Sequence, residues 1–414
     1  MSGMNTLKEF VPQPLAGAYH FALACLGALA YGFPSRRLLV IGVTGTKGKS
    51  SVCEMVNAIL EEAGHQTALL DSIRIKVGGA SRPNLMRMSM PGRFFIQRFL
   101  RRAVSAGCTA AVLEMTSEGA RQYRHRAIAL DALVFTNLAP EHIESHGSYE
   151  QYADAKFELG RALARSHKRP RVIVGNADDP QSARYLALPV EKRIAFSLKA
   201  VEHSAGERGG NFLFDGADIR LHLPGDFSLQ NALAAASLSR ALGIPTSAIK
   251  RALERIERIP GRAERIEEGQ VFSVIVDYAH TPDSLQALYD AFANMRTICV
   301  LGNTGGGRDT WKRPVMGEIA DEACAEVILT NEDPYDEDPR AIVEQMARGM
   351  RRTPTVIMDR RLAIREALSR ARPGDAVLIT GKGTDPNICA EKGGKIPWSD
   401  AEVVREELRR LKAV

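Results

Sequence analysis

The chain of 414 residues is 45% hydrophobic and 25% charged, an ordinary globular composition long enough for two or three cores. Its net charge of +6 comes from Lys and Arg interleaved with Asp and Glu, which suits anionic small molecules and gives no support to a nucleic-acid partner. The six cysteines are scattered, with no C-x-x-C pair and no Cys/His cluster at zinc spacing, so they read as reduced thiols in a cytoplasmic protein.

The first 36 residues form a short apolar segment. Between Pro14 and Leu39 the run LAGAYHFALACLGALAYGF is about as long as a membrane is thick, yet it contains His20, two Tyr and three Gly. No basic stretch precedes it, which argues against a cleaved signal peptide. The preferred reading is a helix packed on the domain or at an interface; the alternative is peripheral contact with a membrane.

From Arg37 short apolar runs alternate with helical periodicity, the pattern of parallel α/β layers. RLLVIGVTG is a buried strand ending in a glycine turn. From Lys49 to Gly64, Val52, Met55, Val56, Ile59, Leu60 and Ala63 share one face, so this stretch is an amphipathic helix. Between strand and helix lies GVTGTKGKSS. Glycines there let backbone N–H groups wrap phosphates, Lys49 reaches the outer phosphates, and Ser50 or Ser51 faces Mg2+ at the helix start. The spacing departs by one residue from the strict phosphate-loop rule, since Gly42 precedes Gly48 by six.

Further strands are expected at AAVLEM, DALVFTN and PRVIVGN, with a helix from about Ser228 to Leu242. AAVLEM ends at Glu114, a carboxylate at a strand's C-terminal end, where it is either a Mg2+ holder or a capping acid. By itself Lys156, in YADAK, reads as a solvated helix lysine. A joint near Pro260-Gly261-Arg262 separates the central part, 37–260, from a C-terminal part, 261–414, that repeats the strand–helix scheme at SVIVDYAH, TICVLGN, EVILTNED, TVIMD and DAVLITGKG.

The series TNLAPEHIESHGSYEQYADAKFELG, following the phosphate loop and the Glu114 strand, resembles the central domain of the Mur ligase family. The likeness runs through GDFSLQNALAA, PGRAER, DYAHTPDSL, GNTGGGRDTWKRPVMG and GKGTDP, and is closest to the tripeptide-forming branch. It implies a central P-loop ATPase domain and a C-terminal Rossmann-like α/β domain. It also implies an ATP- and Mg2+-dependent ligase that joins an amino acid to a peptidoglycan-precursor peptide through an acyl-phosphate. On this reading Thr44, Gly45, Thr46, Lys47, Gly48, Lys49, Ser50 and Ser51 cradle ATP, with Asn231 by the adenine and Arg262 and His280 also at the nucleotide. Ser50, Glu114, His142 and a carbamylated Lys156 hold the metal. Lys49, Glu114, His142 and Lys156 are catalytic.

The resemblance further places Ser89, Thr116 and Arg124 at a muropeptide-like acyl substrate, and Glu332, Asp333, Tyr335, Gly381 and Asp385 at the incoming amino acid. Several lining positions depart from the family pattern. Met88-Ser89-Met90-Pro91 stands for Asn-Thr-Thr-Pro, Thr116-Ser117-Glu118 for Ser-Ser-His, and Glu332-Asp333-Pro334-Tyr335 for Asp-Asn-Pro-Arg. Losing that arginine removes a bidentate carboxylate partner, so an acceptor with a cationic or neutral side chain is expected, lysine before diaminopimelate. The stretch before the phosphate loop is shorter than the uridine-nucleotide domain of that branch, which leaves lipid-linked, folate-like or polyamino-acid acceptors as alternatives. A non-ligating P-loop switch is the alternative of another class.

Overall fold

A computed structural model of the chain describes residues 13–141, 143–307 and 309–412. They form two compact units: one from the described part of Met1–Leu138 with Glu150–Ser197 and Ala234–Ile249, the other from Ala139–Tyr149, Leu198–Leu233 and Lys250–Val414.

The first unit is built on eight strands: Leu39–Thr44 (β1), Thr67–Leu70 (β2), Arg74–Val77 (β3), Ala80–Pro83 (β4), Ala110–Glu114 (β5), Ala132–Phe135 (β6), Val172–Asn176 (β7) and Lys192–Phe196 (β8). Their order is β4-β3-β2-β5-β1-β6-β7-β8. Six run parallel, and β3 and β4 add an antiparallel hairpin at one edge. Parallel neighbours need crossovers, which the helices Lys49–Glu62, Arg93–Ser105 and Tyr149–Ala164 supply. Val40, Leu70, Leu113, Leu133 and Phe135 from the sheet pack with Phe99 and Leu100 in one core. The four strands read from apolar runs in this part are present. The hairpin was not read, because its strands are four residues long and carry Arg74, Lys76 and Arg82.

The apolar N-terminal segment contains the helix Gln13–Ala30, which packs on Arg93–Ser105. Gly27 lies at this contact, where a Cβ would stand at ordinary van der Waals distance, 3.6 Å, from Phe94 Cγ. No helix among the described residues is long and apolar enough to cross a membrane.

The second unit holds an antiparallel sheet of His203–Gly206 (β9), Gly209–Phe214 (β10) and Ala217–Leu221 (β11). Its larger sheet comprises Glu264–Arg265 (β12), Ser273–Val276 (β13), Thr297–Leu301 (β14), Glu326–Leu329 (β15), Thr355–Val356 (β16) and Ala376–Ile379 (β17), in the order β12-β13-β17-β14-β15-β16. Apart from β12 these strands are parallel. Alternate residues feed two cores: Ile275, Cys299, Leu301, Leu329 and Leu378 one, Val274, Ile298, Val300, Ile328 and Val377 the other. Burial on both faces explains why each strand reads as an unbroken apolar run. Asn387–Cys389 (β18) and Lys395–Pro397 (β19) make a small hairpin.

One expectation from composition is corrected. Cys299 on β14 and Cys324, which follows the helix Lys312–Ala323, form a disulfide with Cα atoms 6.2 Å apart. The crossover from β14 to β15 brings together two thiols 25 residues apart, a proximity that linear spacing does not reveal.

Candidate functional site

In the first unit, the C-terminal ends of β1, β5, β6 and β2 converge, the usual place for ligands of an open parallel sheet. The chain leaves β1 through Gly45–Gly48 and enters the helix Lys49–Glu62 with Gly48 at the N-cap, at φ 78°. No side chain caps that helix start, so its first N–H groups and the positive end of its dipole are open to an anion. Gly45 is obligatory: it sits at φ 146°, and a Cβ there would lie 1.9 Å from Thr136 Oγ1.

Residues after β6 hold the loop. Thr46 N and Lys47 N donate to Asn137 O and Asn137 Oδ1, each at 2.8 Å, and Thr136 Oγ1 donates to Lys47 O at 2.6 Å. Sequence reasoning grouped Thr136 and Asn137 by resemblance alone; their task here is to fix the backbone around Lys47. Lys49 Nζ donates to Thr46 O at 2.8 Å.

Lys156 is not the solvated lysine that its own sequence neighbourhood suggests. Its side chain is 2% exposed, its Nζ donates to Gly45 O at 2.7 Å, and it lies 4.7 Å from the centre of the Tyr152 ring. The Tyr152 hydroxyl bonds to Thr46 Oγ1 at 3.0 Å, so two residues one helical turn apart grip the loop.

Glu114, buried at the end of β5, accepts from Ser50 Oγ at 3.0 Å and from Ser72 N at 2.9 Å, and Ser50 and Ser72 hydroxyls are 2.8 Å apart. The register Leu70↔Leu113 puts Asp71 beside Glu114. Asp71 Oδ1 accepts from Ile73 N and Arg74 N, while its buried Oδ2 has no hydrogen-bond partner. Burial, and then the charges of Glu54 and Glu114, push the Asp71 carboxyl well above the usual range. Sequence reading missed Asp71 and Ser72; the signal was a polar pair closing the apolar run TALL. Ser51 is buried on the same helix. His142 lies outside the described residues.

The residues assigned by resemblance to the acyl substrate also meet. Arg124 donates to Met90 O and, at 2.7 Å, to Gln122 Oε1. Ser89 is buried within that same Met88–Pro91 stretch. The Thr116 hydroxyl accepts from Gly119 N at 3.1 Å and caps the short helix Ser117–Arg121. Arg93, not singled out from sequence, donates to Gln122 O at the uncapped start of its helix. Burial lowers its pKa and the Arg124 charge lowers it further, so two guanidinium groups share one neighbourhood. That pair suits a carboxylate or phosphate.

The second unit also gathers polar groups at strand ends. After β13, Asp277 accepts from Ala263 N and Ala279 N at 2.6 Å each, and Arg262 stacks 4.5 Å over Tyr278. His280 Nδ1 lies 2.7 Å from Tyr278 O and its Nε2 3.0 Å from Glu141 Oε1. Gly261, at φ 61°, lies so close to Gly383 and Thr384 that a Cβ would come within 2.6 Å. Asn231 is half-buried on the helix Asp226–Ala241.

After β15, Glu332 Oε1 accepts from Thr304 at 2.9 Å and its Oε2 is buried without a partner. Burial, then the Asp333 charge, raises its pKa. Gly381 is needed beside it, since a Cβ would stand 2.1 Å from Glu332 Oε2. Asp333 Oδ1 accepts from Lys382 Nζ at 2.8 Å and Cys389 N at 2.7 Å. Asp385 lies 3.7 Å from the same ammonium, and Tyr335 adopts φ 52° with its N–H on Cys389 O. Thus Glu332, Asp333, Tyr335, Gly381 and Asp385 come together.

The first unit fits Mg2+ and a nucleotide on its own evidence: an open helix start, buried oxygens on Ser50 and Glu114, and a buried Thr44 hydroxyl without a partner. Among the described residues no group of three or more His, Cys, Asp or Glu could hold a metal.

Comparison with known proteins agrees. Residues 43–239 match the Mur ligase middle domain and residues 261–383 the glutamate ligase domain of Mur ligases. The chain is 39% identical to the UDP-N-acetylmuramyl-tripeptide synthetase of Roseiflexus sp. (strain RS-1), over 94% of this chain and 82% of that protein. It is 37% identical, with the same coverage, to the UDP-N-acetylmuramoyl-L-alanyl-D-glutamate--2,6-diaminopimelate ligase of Syntrophomonas wolfei. A solved structure of a ligase of that second name covers 91% of this chain and 79% of its own, with TM-score 0.61 and 26% identity. The Mycobacterium tuberculosis folylpolyglutamate synthase, with TM-score 0.70 and 18% identity over 88% of this chain and 93% of its own, shares the fold. With loop, strand-end acids and both domains accounted for, the chain belongs to the Mur ligase family and is an ATP-dependent ligase that adds an amino acid to a peptidoglycan-precursor peptide.

Proposed function

We propose that the residues around the phosphate loop carry the first half-reaction and that the Glu332 region selects the incoming amino acid. The supporting observation is the convergence of Lys156, Tyr152, Thr136 and Asn137 on one four-residue loop whose helix start is open. Thr44–Ser51 cradle the phosphates, and Lys49 swings from Thr46 O to the outer ones. Bound Mg2+, held by Ser50 and Glu114, would neutralise phosphate oxygens. The acyl substrate's carboxylate, oriented by Arg124 with Arg93, Ser89 and Thr116 nearby, attacks the γ-phosphorus and gives an acyl-phosphate and ADP. The acceptor amine then attacks the acyl carbon and phosphate leaves. Positioning and charge neutralisation supply most of the catalysis in such transfers. Asn231, Arg262 and His280 are proposed for the nucleotide, Gly381 and Asp385 for the acceptor.

Lys156 acts as a carbamate. A carbamylated nitrogen keeps one N–H for Gly45 O, and its carboxylate replaces a cation that would otherwise repel Mg2+. We further propose a domain boundary at 260/261, action in the cytoplasm, and peripheral contact of the N-terminal apolar segment with a membrane.

For the acceptor, Tyr335 offers a ring and a hydroxyl where a guanidinium is expected, and Glu332 keeps a buried oxygen without a partner. A far carboxylate on the substrate therefore loses a charge-assisted bond of about 1.5–3 kcal/mol, roughly ten- to a hundredfold in selectivity. Lysine is the expected acceptor. Mass spectrometry of products from a pooled amino-acid reaction, followed by kcat/KM for lysine and diaminopimelate, tests this; a higher value for diaminopimelate overturns it.

A further inference from the structure

The helix Gln13–Ala30 contains no Asp, Glu, Lys or Arg. Its inner side, with Ala24, Gly27 and Ala28, is buried, and Gly27 meets the helix Arg93–Ser105. Its outer side repeats at helical spacing with Tyr19 61%, Leu26 54% and Leu29 65% exposed, and Phe21 is 48% exposed beside them. These are large apolar side chains in water, and they are not isolated. Among the described residues, every exposed large hydrophobic of the first unit lies between Tyr19 and Phe94.

The partner helix adds charge. Its exposed stripe is Phe94, Arg98, Arg101 and Arg102, spaced i, i+4, i+7, i+8 on one face. From Ser72 to Leu113 there are eight basic residues and no acidic one, and from Phe10 to Cys53 there is no Asp or Glu at all; of the eight, Arg74 and Lys76 pair with Glu54 and Glu61, while Arg98, Arg101 and Arg102 are exposed. In a chain with 49 acidic residues, two such stretches joined by helix packing make a surface that is both apolar and cationic.

We propose that this surface, the outer side of Gln13–Ala30 with the Arg98–Arg102 stripe, docks on an anionic lipid leaflet. This rests on the peripheral contact proposed above and names its chemistry. Aromatic and aliphatic side chains enter the headgroup boundary while arginines meet lipid phosphates. A spanning helix is not available among the described residues. A second copy of the chain is the poorer occupant, since a two-fold pairing would set one arginine stripe against another. Nucleic acid would leave the apolar half of the surface unused.

The test is flotation of the full chain with vesicles of phosphatidylcholine alone and of phosphatidylcholine mixed with phosphatidylglycerol, at low and high salt. Binding is expected to the mixed vesicles only and to weaken with salt. Arg98→Glu/Arg101→Glu/Arg102→Glu should weaken it by about a hundredfold or more, and Leu26→Ser/Leu29→Ser should also lose it, both with unchanged melting. Neither variant touches a residue placed in the reaction. Equal binding to neutral vesicles, no binding to either, or a dimer that disappears in Leu26→Ser/Leu29→Ser without vesicle binding would each overturn the proposal. Vesicle binding needs no turnover, so failure of the ligase assignment reads out separately.

Discussion

At the ends of β1 and β6 polar side chains fix the backbone of a loop, whereas at the ends of β15 and β17 buried charged side chains also pair with one another. Thr136, Asn137, Tyr152 and Lys156 shape the phosphate loop from outside and leave the start of Lys49–Glu62 uncapped. In the second unit Asp333 meets Lys382, and Arg360 is held by Asp400 and Thr380 O at 2.7–2.8 Å. The same strand-end topology thus builds an open cradle in one unit and a charge-compensated floor in the other. A cradle is ready for a large anion; a floor sets shape and, among the described residues, leaves Glu332 Oε2, Asn303 Oδ1 and Thr330 Oγ1 buried without a partner.

The sharpest way to break this contrast is to remove a member of the floor. Arg360→Ala strands Asp400 in a site where both are almost fully buried, and should cost about 3–5 kcal/mol by denaturant unfolding. A loss under about 1 kcal/mol would mean that water reaches the pair and that the floor is not dry.

In the cradle the effect falls on function instead. Lys49→Ala is expected to lower ligation by about a hundred- to a thousandfold, as removal of a transition-state donor does, with unfolding unchanged. Near-normal turnover sinks the assignment of this loop to ATP.

Lys156→Ala lies between the two cases, because the residue both grips the loop and is the proposed carbamate. Activity should fall about a hundredfold and recover partly with a short-chain carboxylate, with a stability loss of about 1 kcal/mol for the bond to Gly45 O. Full activity in Lys156→Arg would exclude the carbamate.

The smallest effect is a pH dependence at Glu332. Its folded pKa is raised, so the stability tied to its proton is complete below the unfolded value and lost as pH rises through the folded one. Glu332→Gln should therefore melt a few degrees above the wild type in neutral and mildly alkaline buffer, the two converging in acid. A melting difference that is constant from about pH 4 to pH 8 would refute the burial argument.

Much of both regions was legible beforehand for local reasons. Apolar runs gave the strands because parallel strands are covered on both faces, and Gly45 with Lys49-Ser50 marked the loop because turn, cradle and helix start are contiguous in the chain. Lys156 was visible only through resemblance, since its burial depends on the loop it touches, 111 residues away. Asp71, Ser72 and Arg93 escaped notice for the same reason: each gains meaning from a neighbour on another strand or helix.

The sequence by itself determined the α/β layering, the phosphate loop and the family, because strand hydrophobicity, turn glycines and helix starts are local properties of contiguous residues. Tertiary structure decided which polar groups are spent on holding the scaffold and which stay available. Asp333 and Asp71 are both acids at strand ends, yet one is satisfied by Lys382 and the other keeps a buried oxygen without a partner. It also joined Cys299 to Cys324 and laid an uncharged helix against an arginine-bearing one. Those outcomes follow from strand order and crossover geometry, which bring distant residues within bonding distance and have no signature in linear spacing.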